Sequence, residues 1–293
     1  MSLSKSHNKK SVLLVGIGGS NLGAKAVYEA LRAIDTPLLL CADAVDSVTR
    51  ERIVAQIDAD TKLIYVSKSG TTIESKLNFD FFKKYTDNIT VITDPNSPPE
   101  ISGRFSVFTK FGLEPISRLG FDTKKFLKGK ADANEAEAKK SGAWLFEQLQ
   151  VGMAIHDMFL FNPELESLGK WYRQLMGEST GKDGKGYIPT VSIGSTDLHS
   201  MFQRYIAGPH NVATTFVCIG EPDIFYKATT RIYRELDLPF QEYIIAKRDE
   251  YELGKFMQFK MYEIIELAML MGVNPFDQPM VELYKTIIRD KLS

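Results

Sequence analysis

Four short apolar runs, each followed by a turn and a helix-like segment, dominate the first third of the chain and restrict what it can build. SVLLVGIG, TPLLLCA, KLIYVS and NITVIT read as strands, and residues 21–33, 46–57 and 73–85 carry the apolar spacing of helices. A strand that is apolar at nearly every position must be covered on both faces, as in a parallel sheet between two helical layers. Strand and helix alternate again in YIPTVSIGS, a helix over 197–207, and NVATTFVCIG. Residues 113–175 read as a helical bridge, first charged (KKFLKGKADANEAEAKK), then apolar and aromatic (AWLFEQLQVGMAIHDMFLF). A final helical third carries residues 251–271 and ends on FDQPMVELYKTIIRDK. The expected division is a first lobe over 11–112, the helical bridge over 113–175, and a second lobe over 176–293 that includes the C-terminal helices. The expected class is α/β, two lobes that could be structural cousins, since each places a Gly/Ser/Thr turn after a strand.

Composition excludes several function classes. Lysine and arginine number 36 against 37 aspartates and glutamates, so no bulk field draws the chain to nucleic acid or to an anionic membrane. An anionic ligand would have to be held locally. No apolar run approaches the roughly 18 residues of a membrane span. The opening MSLSKSHNKK lacks the apolar core of a signal peptide, so the expected compartment is the cytoplasm. Cys41 and Cys218 sit apart inside apolar runs with no CxxC or Cys/His cluster nearby. Neither a disulfide framework nor a metal site is expected, and no cofactor is implied.

Two strands of the first lobe end in loops of one kind. GIGGSNLG spans residues 16–23 and SKSGTT spans 67–72. Ligands of open parallel sheets bind at the carboxyl ends of the strands. Glycines let the backbone come close, and amides at the next helix start face an anion. Hydroxyls of Ser67, Ser69, Thr71 and Thr72 add neutral donors, and Lys68 can add one charge. The bland account of SKSGTT alone is a capped helix start. Two such loops at neighbouring strand ends favour a small pocket for a monophosphate. Asn21 breaks the G-x-G-x-x-G dinucleotide pattern, and no G-x-x-x-x-G-K-[ST] phosphate loop occurs. A dinucleotide-binding oxidoreductase is therefore disfavoured.

Four further residues have bland readings when taken singly. Glu178 lies in RQLMGESTGKDGKG, either as a general base or on a solvated turn. His199 in GSTDLHSMFQ is more often structural than catalytic. Arg104 in SGRFSVF and Lys285 in FDQPMVELYK would ordinarily be surface cations.

Together these segments change that balance. GIGGSNLG, VSKSGTTIES, SGRFSVFTKFGL, GESTGK, STDLHSMFQ and NPFDQPMVELYK, in this order, resemble the signature segments of the glucose-6-phosphate isomerase (phosphoglucose isomerase) family, in wording nearest its bacterial branch. The resemblance runs from Val12 to Lys285. It implies two sugar-isomerase (SIS) lobes, each a three-layer αβα unit, and reversible conversion of glucose 6-phosphate and fructose 6-phosphate through a cis-enediol, a step of glycolysis and gluconeogenesis. It implies that Ser67, Ser69, Thr72 and the backbone near Lys68 hold the phosphate, and that Gly19 and Ser20 line the sugar. Arg104 would face the reacting carbons. Gln174 and Glu178 match the family's QxxxE pair, with Glu178 as the base. His199 and Lys285 would handle ring opening, and Gln278 would contact the sugar. In the family this histidine enters from the neighbouring subunit, so a homodimer with shared active sites is implied. The residue types suit the chemistry: a carboxylate can carry a proton between C1 and C2, a guanidinium can meet enediolate charge, and an imidazole can protonate the ring oxygen.

The chain departs from the family pattern in three places. The first glycine loop begins at Gly16, where family members carry an N-terminal helical region before it. Ser102 replaces the first glycine of GGR, and Met280 replaces a small residue after FDQ-x. Two alternatives remain: a related isomerase acting on mannose 6-phosphate or a heptose phosphate, since discrimination at C2 depends on pocket shape, and a non-catalytic SIS sensor of sugar phosphates. A sensor needs the phosphate loops but no base, and Glu178, Arg104, His199 and Lys285 together argue against it.

Overall fold

The computed structural model describes residues 10–96, 98 and 102–292. The opening segment read above as lacking a signal peptide falls, except for Lys10, outside the described residues. In the first lobe β1 (Ser11–Val15), α1 (Leu22–Leu31), β2 (Leu38–Ala42), α2 (Ser47–Val54), β3 (Lys62–Val66), α3 (Ile73–Phe82) and β4 (Ile89–Ile92) alternate as expected. The strands form one parallel sheet in the order β2-β1-β3-β4. Each strand divides its apolar residues between two faces, as the period of 2 requires. Val12 and Leu14 of β1 face the central core, whereas Leu13 and Val15 pack with Ile53 of α2 and Phe82 of α3.

Three helices follow: α4 (Lys110–Arg118), α5 (Thr123–Ala131) and α6 (Glu135–Gln150). The bridge expected to be helical throughout then breaks. Residues 155–160 form β5 (Ile155–Leu160), an interior strand of the second sheet. Gly152, at φ 96°, turns the chain out of α6 just before it. A short continuous apolar run fits a buried strand or a buried helix equally well by periodicity, and sheet pairing decided here. After α7 (Glu166–Thr180) come β6 (Ile188–Ile193), α8 (Phe202–Ala207) and β7 (Val212–Ile219). The helix expected over 197–207 is split into a 3-10 turn, Thr196–His199, and the short α8. The remainder is less helical than expected: α9 (Ile224–Glu235) leads to the edge strand β8 (Phe240–Ile245) before α10 (Glu250–Met271) and α11 (Pro279–Leu292).

The second sheet runs β6-β5-β7-β8, all parallel, repeating the order of the first. Met158 and Leu160 of β5 join the central core, while Phe159 packs with Tyr205 of α8 and Tyr226 and Tyr233 of α9. The α/β class with two helix-flanked parallel sheets is thus borne out. One continuous core joins the lobes, with α1 against α7 and α10 against α5, α6 and α7. Trp171, Tyr172 and Leu175 of α7 are fully enclosed in it. Burying an aliphatic or aromatic side chain of this size contributes about 1.5–3 kcal/mol, so α7 is fixed to both lobes. Its last turn, carrying Glu178, therefore lies on a rigid support beside the carboxyl ends of the first sheet.

Candidate active site

In the first sheet β1 is followed outward by β2 on one side and β3 on the other, so the loops after β1 and β3 border the switch point where ligands of such sheets sit. Gly18, at φ 57°, opens the 3-10 turn Gly18–Ser20, and Gly70, at φ 70°, shapes the loop after β3. Ser67 is buried, and its hydroxyl lies 3.5 Å from that of Thr72. Ser69 Oγ accepts from the amide and hydroxyl of Thr71 at 3.2 and 2.8 Å. Thr72 is the N-cap of α3, yet its side chain makes no capping bond. The capped-helix account of the hydroxyls therefore does not hold at Thr72. Lys68 points its ammonium elsewhere, donating to the Pro98 carbonyl at 2.8 Å. A cavity of about 250 Å³ adjoins this loop, lined by Ile17, Ser69, Thr71 and Thr72 on one wall and by Tyr284 and Lys285 of α11 on the other.

Beside the loops stands a charged cluster built around Arg104. This arginine opens from the 3-10 segment Gly103–Phe108 and is completely buried, contrary to its bland reading as a surface cation. A guanidinium has five N–H donors. Here each has an acceptor. Nε donates to Ser179 Oγ at 2.8 Å, and Nη1 to Glu178 Oε2 at 3.0 Å and to Gln278 Oε1. Nη2 donates to the carbonyls of Pro275 at 2.5 Å and Asp277 at 2.9 Å. Burial lowers the arginine's pKa from its ordinary value, and the Glu178 carboxylate opposes that shift. Loss of any one acceptor would leave a buried charged donor unpaired, at about 1–3 kcal/mol or more.

Glu178 is gripped at both oxygens, since Gln174 Nε2 donates to Oε1 at 3.0 Å from one helical turn earlier. Its side chain keeps 29% of its exposure, so a ligand can reach it. Gln174 Oε1 is buried and has no partner among the described residues. Gln174 also lies against the first loop: a side chain at Gly18 would meet its Nε2 at 2.9 Å. Gly19 crosses Gly103 so closely that a methyl group there would overlap the Gly103 backbone, and Ser106 Oγ donates to the Gly19 carbonyl at 3.3 Å. The half-buried Ser20 closes the 3-10 turn. The Gly18–Ser20 turn thus lies against Gln174 and Gly103, and Gln174, Glu178 and Arg104 form one hydrogen-bonded chain beside it.

The family profile for phosphoglucose isomerase matches residues 4–128. The glucose-6-phosphate isomerase of Mycoplasmopsis synoviae (strain 53) is 30% identical over 345 residues, covering 94% of this chain and 80% of the relative. The chain belongs to the phosphoglucose isomerase family. Among solved structures, a protein of Thermus thermophilus superimposes with a TM-score of 0.87 at 24% identity, over 97% of this chain and 84% of that one. A glucose-6-phosphate isomerase of Chlamydia trachomatis superimposes at 0.81 with 19% identity, over 97% of this chain and 70% of that one. These two structural likenesses bear on the fold alone.

Of the residues singled out from sequence, Arg104, Gln174, Glu178 and Gln278 share one hydrogen-bonded cluster, with Gly19, Ser20, Ser67, Ser69 and Thr72 on the adjoining loops. Lys285 stands across the cavity on α11. His199 is exposed on its 3-10 turn, which packs on β6 and α8, and no hydrogen bond joins it to the cluster among the described residues. Sequence reasoning missed Ser179 and the carbonyls of Pro275 and Asp277. The first adjoins Glu178 and could have been suspected; the carbonyls carry no side-chain signal.

Proposed function

We propose that this chain is a glucose-6-phosphate isomerase, interconverting glucose 6-phosphate and fructose 6-phosphate through a cis-enediol. The observation that carries the reading is a partly exposed carboxylate, Glu178, clamped between a buried arginine whose donors all have acceptors and Gln174, which lies against the glycine turn after β1. The phosphate would sit on Ser67, Ser69, Thr72 and the backbone amides near Lys68, where the α3 terminus adds favourable dipole sign. The Lys68 ammonium donates to the Pro98 carbonyl, and the part of this residue in the reading is its backbone beside the phosphate. Gly19 and Ser20 would border the sugar, and a sugar hydroxyl would satisfy Gln174 Oε1.

Glu178 would remove the C2 proton of the open-chain aldose and return it to C1, while O1 gains a proton to give the enediol and O2 loses its own as the ketose carbonyl forms. The oxygen on the developing enediolate gains charge as the proton leaves. Arg104 Nη1 is the donor placed to meet it, with Gln278 Oε1 yielding its place on that nitrogen. His199, brought by a second subunit, would protonate the ring oxygen, with Lys285 assisting from α11. A homodimer in the cytoplasm is part of the same reading.

Purified protein supplied with fructose 6-phosphate should yield glucose 6-phosphate in a coupled assay, with mannose 6-phosphate read in parallel. Glu178→Gln keeps shape and reach but cannot accept the proton. Turnover should fall at least about 100-fold while substrate still binds. Exchange of the C2 proton with deuterated solvent should fall in step. Exchange at the wild-type rate in a protein that no longer turns over would assign Glu178 to another step.

A further inference from the structure

Beyond Glu178 the chain reaches sideways. After α7 it turns through residues 181–185, with Asp183 at φ 52° and Gly184 at φ 71°. Two lysines of this turn extend to the connection between α10 and α11. Lys182 Nζ pairs with Asp277 Oδ1 at 2.7 Å and also donates to the Asn274 carbonyl. Lys185 Nζ donates to the carbonyl of Met271, the last residue of α10, at 3.0 Å. Arg104 holds the same connection from inside, through the carbonyls of Pro275 and Asp277 and the side chain of Gln278. Residues 274–278 are thus suspended between two cations.

The connection is stiffened locally. Asn274 Oδ1 accepts from the Phe276 amide at 3.0 Å, and Asn274 Nδ2 donates to Asp277 Oδ2 at 3.1 Å. Asp277 therefore gives one oxygen to Lys182 and the other to Asn274. The Lys182 hydrogen bond is the chief influence holding the Asp277 carboxyl below its ordinary range. The Lys182 side chain is only 11% exposed, and that of Asp277 is 52% exposed. An ion pair with one such open partner is worth little to overall stability. Its geometric consequence is larger. Both Nη2 acceptors of Arg104 are main-chain carbonyls of this connection. A shift of the connection would either strand the guanidinium or draw it away from Glu178.

We infer that Lys182 is a positioning residue for the reaction: by fixing residues 274–278 it fixes Arg104 against Glu178 and sets the start of α11, without touching the substrate. The catalytic consequence rests on the isomerase reading above.

The test uses Lys182→Met, Lys182→Arg and Asp277→Asn, the last leaving Lys182 in place and removing only the charge partner. Steady-state kinetics on fructose 6-phosphate, melting temperature and solvent exchange of the Arg104 guanidinium protons by ¹⁵N NMR (assigned with Arg104→Lys) are measured on each. Lys182→Met should lower kcat about 10–100-fold, the range an ångström-scale misplacement produces, with KM changed less than about threefold. Melting temperature should stay within a few degrees, Asp277→Asn should lose less, and Lys182→Arg should recover most of the rate. The Arg104 guanidinium protons should exchange faster in Lys182→Met. Wild-type kcat in Lys182→Met, unchanged guanidinium exchange, or a joint fall of kcat, affinity and melting temperature that arginine does not rescue would each overturn the inference. An inactive wild-type protein would instead overturn the isomerase reading, and guanidinium exchange would still decide what Lys182 holds.

Discussion

Thr72 shows how a residue can look structural and be left available for chemistry. It occupies the N-cap of α3, where a threonine hydroxyl normally accepts from an amide one turn on. It makes no such bond, and its hydroxyl contact with Ser67, at 3.5 Å, is long for a hydrogen bond. A hydroxyl and first-turn amides left without mutual bonds can converge on a phosphate oxygen. Thr72→Val keeps the shape and removes the donor. Its affinity for fructose 6-phosphate should weaken by on the order of 1–3 kcal/mol, as for one hydrogen bond to a charged group, with kcat less affected. Unchanged KM, together with unchanged inhibition by inorganic phosphate, would remove Thr72 from the phosphate site.

At the scale of the element, β5 is where burial and charge conflict. His156 and Asp157 are both fully buried and point to opposite faces of the sheet. His156 Nε2 meets Thr215 Oγ1 at 2.8 Å on the α7 side, where Tyr172 packs on its ring, and burial pushes its pKa down to about 3. Asp157 Oδ1 accepts from Thr190, Ser192 and Tyr205 at 2.6, 3.1 and 3.1 Å. Burial outweighs those bonds and raises its pKa to about 6 from 3.8. With the folded value above the unfolded one, the native state retains a proton that the unfolded chain releases between about pH 4 and 6. The contribution of Asp157 to stability should therefore fall as pH rises through that window, with its penalty complete above it, opposite in sign to the contribution of His156, whose folded value lies below its unfolded one. Asp157→Asn keeps an acceptor for the three hydroxyls and cannot ionise. Relative to wild type it should gain on the order of 3 kcal/mol between pH 4 and pH 8 in urea denaturation. A difference that is equal at both pH values would mean that Asp157 titrates normally.

At the scale of the whole molecule, the clustered site residues and His199 occupy different places on one chain. Arg104, Glu178 and Gln278 meet where the lobes join, and His199 lies exposed beyond β6, an edge strand. The proposed homodimer would bring a second chain's His199 to the cluster. Glu178→Gln and His199→Ala proteins, each inactive alone, should regain activity when their subunits are mixed and allowed to exchange, because one site of the hybrid then has both groups. Verified hybrid dimers that stay inactive would place both residues in one chain's site or rule out the dimer as the active unit.

The local grammar of this protein is written in its residues alone. Fully apolar strands such as LLV in β1 and LIYV in β3 can be buried only between two layers, so the first lobe was legible. The loops after them were legible as turns because glycines mark strand ends, whereas their hydroxyls fit a capped helix start as readily as a ligand site. The second lobe was less so. MFL in β5 has no period that separates strand from helix, and β8, FQEYII, is a half-exposed edge strand that follows a long helical segment. The matched GES and FDQ segments named Glu178 and Gln278, but no local pattern could say that they meet on one guanidinium. Arg104 is 74 residues from Glu178 and 171 from Pro275, and two of its five acceptors are backbone carbonyls. A carbonyl is the same atom at every position, so only chain folding selects which ones turn inward. The environment of Arg104 is therefore a product of the tertiary fold, because a charge can be buried only where distant segments supply all of its partners at once.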